Sequence, residues 1–255
     1  MASINLWGMA RDMATTSGAD PTGTGTTRDR LIRSAEQQFA AQGVHGAQLR
    51  EVVRGAGQAN PSAVQYHFGS REGLLDAVMA ERQHRTERAL AERLPEPEGR
   101  PLAELLGALI DAEATELRTE RGRDCLRIST QVSHDSGIRE RRPHPGLAGS
   151  RYWRLISELE APLVELLPEP VRLERIDLVL TLIGAALAER ARQLAAGEPT
   201  LTADGGYLAD LVSVCHAALT APPAGAHPAP ARPNHSAPGA GDASGVHHEN
   251  ARSKS

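Results

Sequence analysis

The chain has 255 residues, 40% of them hydrophobic, a formal net charge of −4, two cysteines, and Lys254 as its single lysine. That apolar content suffices for one or two compact cores, and no apolar run approaches the ~18 residues of a membrane span. The N-terminus lacks the charged-then-apolar layout of a secretory signal, so a cytoplasmic protein with no membrane partner is expected.

Residues 1–26, rich in Thr, Gly and Ala, show no apolar period and read as a disordered N-terminal arm. Thr27-Arg28-Asp29-Arg30 opens a helix whose Leu31, Ile32, Ala35 and Phe39 share one face and which ends at Gly43. The run from Leu49 to Ala56 makes about two helical turns, and Gly57-Gln58-Ala59 follows as a turn. Asn60 is a favoured cap and Pro61 suits a first helical position, which predicts a short helix over 61–67. Helix, glycine turn and short helix together are helix-turn-helix grammar. A Gly69-Ser70 break precedes a linking helix over about 71–93, with Ser70 as cap and Leu74, Leu75, Val78 and Met79 as its apolar stripe. Arg71 places a cation at the positive end of that helix and suits a phosphate better.

Farther on, Pro101 opens a helix carrying Leu102, Leu105, Leu106, Leu109 and Ile110. Another is expected over about 123–135, then a solvated or gating loop from Arg139 to Gly149, then helix from Arg151 to Leu167. In that last helix Tyr152, Trp153, Ile156 and Leu163 are available for packing, with Trp153 a core residue or a ligand contact. Leu173, Ile176, Leu180, Ile183 and Leu187 repeat at steps of three and four, and Leu208, Leu211, Cys215 and Leu219 nearly do the same. Val179, Leu182 and Ala186 widen the first stripe, and Gly184-Ala185-Ala186 would let another helix approach closely. The pattern fits pairing with a second subunit, or a fully buried pair within one chain. Residues 221–255 read as a disordered tail, with His247-His248 solvated inside it.

The chemistry legible in the chain is that of binding. Cys125 and Cys215 lack a paired-ligand spacing and read as buried thiols, and no metal or cofactor is expected. No nucleophile elbow, phosphate loop, dinucleotide fingerprint or zinc-protease helix occurs. Glu113, Glu116, Glu120 and His134 read as a wet helix face. Residues 27–93 hold ten arginines against eight carboxylates, whereas residues 94–220 hold fourteen against twenty. A slightly basic first part and an acidic second part suit a protein that puts one end against phosphates, although a solvated surface explains them equally.

The motifs Thr-Arg-x-Arg-Leu-Ile…Ala-x-x-x-Phe-Ala-x-x-Gly at 27–43, Leu-Arg-Glu-Val-Val…Ala-Gly at 49–57 and Tyr-His-Phe-Gly-Ser-Arg-Glu-Gly-Leu-Leu at 66–75 occur in order. In them the chain resembles the tetracycline-repressor (TetR) family over roughly a fifth of its length. The segment from Gly57 to Phe68 is one residue longer than that family's commonest form. The resemblance implies an all-α fold: a helix-turn-helix DNA-binding domain at 27–75 and a larger ligand-binding and dimerisation domain at 76–220. It implies Arg50, Ser62 and Gln65 as base readers and Gln48, Tyr66, His67 and Arg71 as phosphate contacts, with Phe68 a packing residue, Tyr66 alternatively one too, and His67 alternatively a helix cap. It further implies a small hydrophobic effector near Leu105, Leu109, Trp153 and Ile156, and a homodimer seam through the 173–187 and 208–219 stripes. The function so implied is a repressor that binds an inverted-repeat operator in double-stranded DNA as a homodimer. The alternatives are an all-α small-molecule-binding protein without DNA function and a helical enzyme.

Overall fold

A computed structural model of the chain describes residues 25–132, 136–143 and 145–223. The arm and tail readings, the His247-His248 pair and His134 therefore fall outside the described residues, apart from residues 25–26 and 221–223 of the two ends. Among the described residues all regular structure is helical: α1 (Thr27–Gln42), α2 (Leu49–Gly55), α3 (Ala63–Phe68), α4 (Arg71–Arg93), α5 (Leu102–Ala114), α6 (Glu120–Ser129), α7 (Arg151–Glu158), α8 (Glu169–Ala196) and α9 (Asp204–Thr220). No helix among them is long and apolar enough to cross a membrane.

Local chemistry sets the ends of the first four helices. Thr26, one residue before the expected start, accepts from the Asp29 N–H, and the Asp29 carboxylate accepts from the Thr26 N–H, a reciprocal capping box. Gly43 ends α1 at φ +81°. Ser70 accepts from the Gly73 N–H and starts α4. A Cβ on Gly73 would lie 2.1 Å from the Phe68 carbonyl oxygen, so only glycine lets α3 and α4 meet at this corner.

Three expected boundaries shift. The short helix expected over 61–67 begins at Ala63 rather than at Pro61, because the Asn60 side chain accepts from the Ser62 N–H and holds residues 60–62 in a turn. The helix expected over 123–135 runs from Glu120 to Ser129, capped by Thr119 on the Gly122 N–H. The helix expected to reach Leu167 stops at Glu158 and gives way to a 3-10 turn at Ala161–Leu163. Pro162 has no N–H to continue the ladder and disfavours helical geometry at the residue before it.

Two apolar cores result. The head is closed by Leu31, Ile32 and Phe39 of α1, Val52 and Val53 of α2, Val64 of α3, and Leu74, Leu75 and Val78 of α4, joined by Cys125 and Ile128 of α6. The body is built from α5, α7, α8 and α9 with the far end of α4. α4 enters both cores, and α6 sends Leu126 into the body core while Cys125 and Ile128 go to the head. Head and body thus share two helices.

Candidate nucleic-acid interface

α3 is a six-residue helix that fastens itself to the head through Ala63 and Val64 and leaves the opposite side to solvent. Ser62 and Gln65 are exposed there, and Tyr66 is 83% exposed, an unusual position for an aromatic ring that has nothing to bind. The His67 ring stands edge-on to Tyr66 at 4.9 Å and is half-buried. Phe68 turns inward against the head core, and the Arg28 guanidinium lies over its ring at 5.3 Å from the centroid. Arg28 was not singled out in the sequence, although, like Arg71, it puts a cation in the first turn of a helix.

Arg50 and Gln48 are exposed at the start of α2, with Arg50 Nε 3.6 Å from a Glu51 oxygen. Arg54 pairs with the other Glu51 oxygen. Arg71 differs from the expectation of a free phosphate clamp. Its guanidinium donates to the Val44 carbonyl at 2.7 Å and the Ala47 carbonyl at 2.5 Å, so it pins the α1–α2 connection to the start of α4. The two carbonyls supply negative partial charge that offsets the unfavourable position at a helix N-terminus.

Beneath the head lies a charged joint in place of the expected wet helix face. Glu113 and Glu116 are buried, not on a wet face: the polypeptide turns from α5 into a 3-10 turn (Thr115–Arg118) directly against α4. Glu113 pairs with the buried Arg82. Glu116 takes two hydrogen bonds from Arg85, at 2.7 and 2.8 Å. Arg121 makes a matching pair with the buried Glu36 of α1, at 2.7 and 2.9 Å. Burial pushes the Glu113 carboxyl up while Arg82 holds it down. The Cys125 thiol touches both Arg85 and Glu36, and burial raises it to about 12, so it stays protonated and inert. Gly122 sits at the same corner, where a Cβ would come within 2.1 Å of the Glu116 carbonyl oxygen.

The heptad residues expected at a dimer seam turn inward within this chain. Leu173, Ile176, Leu180, Ile183 and Leu187 are buried in the chain's own body core, together with Leu211, Cys215 and Leu219, and Leu208 packs against it. The large apolar residues of α8 and α9 that stay exposed are Leu178 at 62%, Leu182 at 38% and Val214 at 46%. The strongest stripe of each helix covers its own domain; of the second stripe of α8, Val179 is buried and Ala186 half-buried in the same core, and Leu182 stays outside. Leu105, Leu109 and Ile156, expected around an effector, are fully buried in the body core, and Trp153 packs half-buried against it.

A short, outward-facing helix set by a glycine-containing turn on a preceding helix whose Arg50 and Arg54 are exposed defines a helix-turn-helix DNA-binding module. Residues 31–78 match the family model for bacterial regulatory proteins of the tetR family. The HTH-type transcriptional regulator SrpR of Pseudomonas putida is 45% identical over 58 residues, which are 23% of this chain and 27% of that protein. The match thus spans about a quarter of the relative's length. The solved tetR-family transcription regulator from Shewanella sp. PV-4 shares the fold over 75% of this chain and 96% of its own, with a TM-score of 0.53 and 18% identity. So does NalD, the secondary repressor of the MexAB-OprM multidrug efflux pump in Pseudomonas aeruginosa, over 76% of this chain and 97% of its own, with a TM-score of 0.51 and 20% identity. Its N-terminal domain is thus that of the TetR family of bacterial regulators.

Proposed function

We propose that the protein is a homodimeric transcriptional repressor, released from an inverted-repeat operator by a small molecule. The observation that carries the DNA-binding part is the exposure of Tyr66, Gln65 and Ser62 on the free side of α3, beside exposed Arg50 and Gln48. In this reading Gln65 pairs with an adenine edge, Arg50 with guanine, and Ser62 with either kind of edge. Gln48, Tyr66 and His67 hold phosphates, and Arg28 joins them. Arg71 acts by fixing the α1–α2 connection, a role that its two carbonyl contacts support.

Dimerisation supplies the second recognition helix. The exposed face of Leu178, Leu182 and Val214 supports a two-fold seam in which the same patch meets itself. An effector in the body would act on the head through α4 and α6, which are common to both cores. Sequencing of the DNA fragments that the purified protein selects from a random pool tests the reading. Selected fragments should contain an inverted repeat with half-site centres ~34–36 Å apart, or slightly more. A pool that remains random after selection refutes it.

A further inference from the structure

Three buried donor atoms in the joint have no hydrogen-bond partner among the described residues: Arg82 Nε, Arg85 Nη1 and Thr86 Oγ1. They belong to positions i, i+3 and i+4 of α4 and so lie on one face of that helix. Arg82 and Thr86 are more than nine-tenths buried, and the carboxylates that face the two arginines are already engaged: Glu113 with Arg82 Nη2, Glu116 with Arg85 Nε and Nη2. Buried donors left unpaired are costly and rare, and a cluster of three within little more than one helical turn is a place prepared for an acceptor.

The charge count around them decides what kind of acceptor. Arg82 is matched by Glu113, Arg85 by Glu116 and Arg121 by Glu36, with the more exposed Glu81 also 3.9 Å from Arg121, so these arginines leave no unmatched positive charge. A carboxylate entering it would have to displace one of these glutamates or protonate it, and an ammonium would bring donors to a place already short of acceptors. A neutral oxygen satisfies the donors and leaves the ion pairs intact. The elements that surround the cluster, α5 and α7, also carry the apolar Leu105, Leu109, Ile110 and Ile156.

We infer that Arg82, Arg85 and Thr86 form the polar anchor of the effector site, and that the effector is an uncharged, largely apolar molecule bearing a carbonyl or comparable acceptor oxygen. The inference rests on the effector-responsive reading above and specifies its ligand class. The full chain is titrated calorimetrically with 2-nonanone, nonanoate and nonylammonium, three chains of one length that differ in head group. The ketone should bind about tenfold tighter than either ion, since it alone supplies an acceptor without a net charge. Thr86→Val, which keeps the shape of the side chain, should weaken the ketone about fivefold to tenfold, the worth of one hydrogen bond, while leaving the unliganded protein as stable or more so. Arg82→Lys, which keeps the charge and removes the Nε–H donor, should weaken it similarly.

Equal affinities for the three probes, no binding by any of them, or a ketone affinity indifferent to Thr86→Val each overturn the inference. Release of the selected DNA is measured separately on the same samples. Ketone binding without release breaks the repressor-effector reading and leaves the anchor standing, whereas release by all three probes alike breaks the anchor and leaves that reading standing.

Discussion

The head and the joint beneath it are closed by different forces. Phe39, Leu31, Ile32 and Leu74 fill the head with apolar side chains that no partner exchange could replace. The joint is closed by Arg82 with Glu113, Arg85 with Glu116 and Arg121 with Glu36. A buried ion pair returns little more than the desolvation it costs, so the joint orients α4 and α6 firmly while adding little net stability. An apolar core holds one packing, whereas hydrogen-bonded ions can be re-paired. In the proposed function the head carries the DNA-reading helix, which suits the first property, and the joint transmits an effector's binding, which suits the second.

The largest effects should separate the two regions by rescue. Phe39→Ala should cost about 3–5 kcal/mol in urea unfolding, and no second substitution in the head should recover it. Glu113→Ala should also cost about 3–5 kcal/mol, because it strands a buried guanidinium. Adding Arg82→Met should then restore most of that loss. A double variant as unstable as Glu113→Ala alone would show that the pair stabilises on its own account and that the contrast is wrong.

The next effect concerns the body's outer face. Leu182→Glu or Val214→Glu should turn a dimer into a folded monomer in sedimentation, since each puts a charge in the proposed seam. Ile183→Glu, one residue from Leu182 but 3% exposed, should instead lose helical structure at lower temperature. If Leu182→Glu and Val214→Glu both remain dimeric, the seam lies elsewhere.

Smaller changes are expected at the DNA surface. Arg50→Ala or Gln65→Ala should cost about 1–3 kcal/mol per half-site and relax sequence preference. Tyr66→Phe should weaken all sequences alike. Arg71→Ala should loosen the α1–α2 connection and lower the head's thermal stability as well as its affinity, a double signature that a simple phosphate contact would not give. Binding that falls with no change in thermal stability would return Arg71 to the phosphate role.

How much of this was legible in the sequence follows the same division. The head was legible because its signals are local: Gly43, Gly69 and Ser70 act within a few residues, and only the Asn60 turn moved the start of α3 by two positions. The joint was not, since Arg82 and Glu113 stand 31 residues apart and spacing alone cannot reveal that the α5 corner lies under α4. Glutamates at 113 and 116 look wet in one dimension and are buried in three. The inward burial of the heptad stripe has a related reason. Heptad spacing at 173–187 identifies the most apolar stripe, which goes to the chain's own core, whereas Leu178, Leu182 and Val214 stand out only once that core is seen.

The smallest expected effect tests whether the α4 segment inside the head tolerates charge as the joint does. Asp76, in the second turn of α4, is half-buried without an arginine beside it; burial, and then the charge of Glu72, move its carboxyl from an ordinary aspartate's 3.8 to about 6. The native state therefore holds this proton more tightly than the unfolded chain does, and ionised Asp76 works against folding above pH 6. As pH falls from about 6 toward 4 that cost should shrink, and below about 4 both states are protonated and it should be gone. Asp76→Asn should thus raise the urea midpoint at pH 7.5, raise it less at pH 5, and leave it unchanged near pH 4. A gain of equal size at pH 4 and 7.5 would place its origin in packing or hydrogen bonding, and the head would then be as tolerant of an unpaired carboxylate as the joint is of its paired ones.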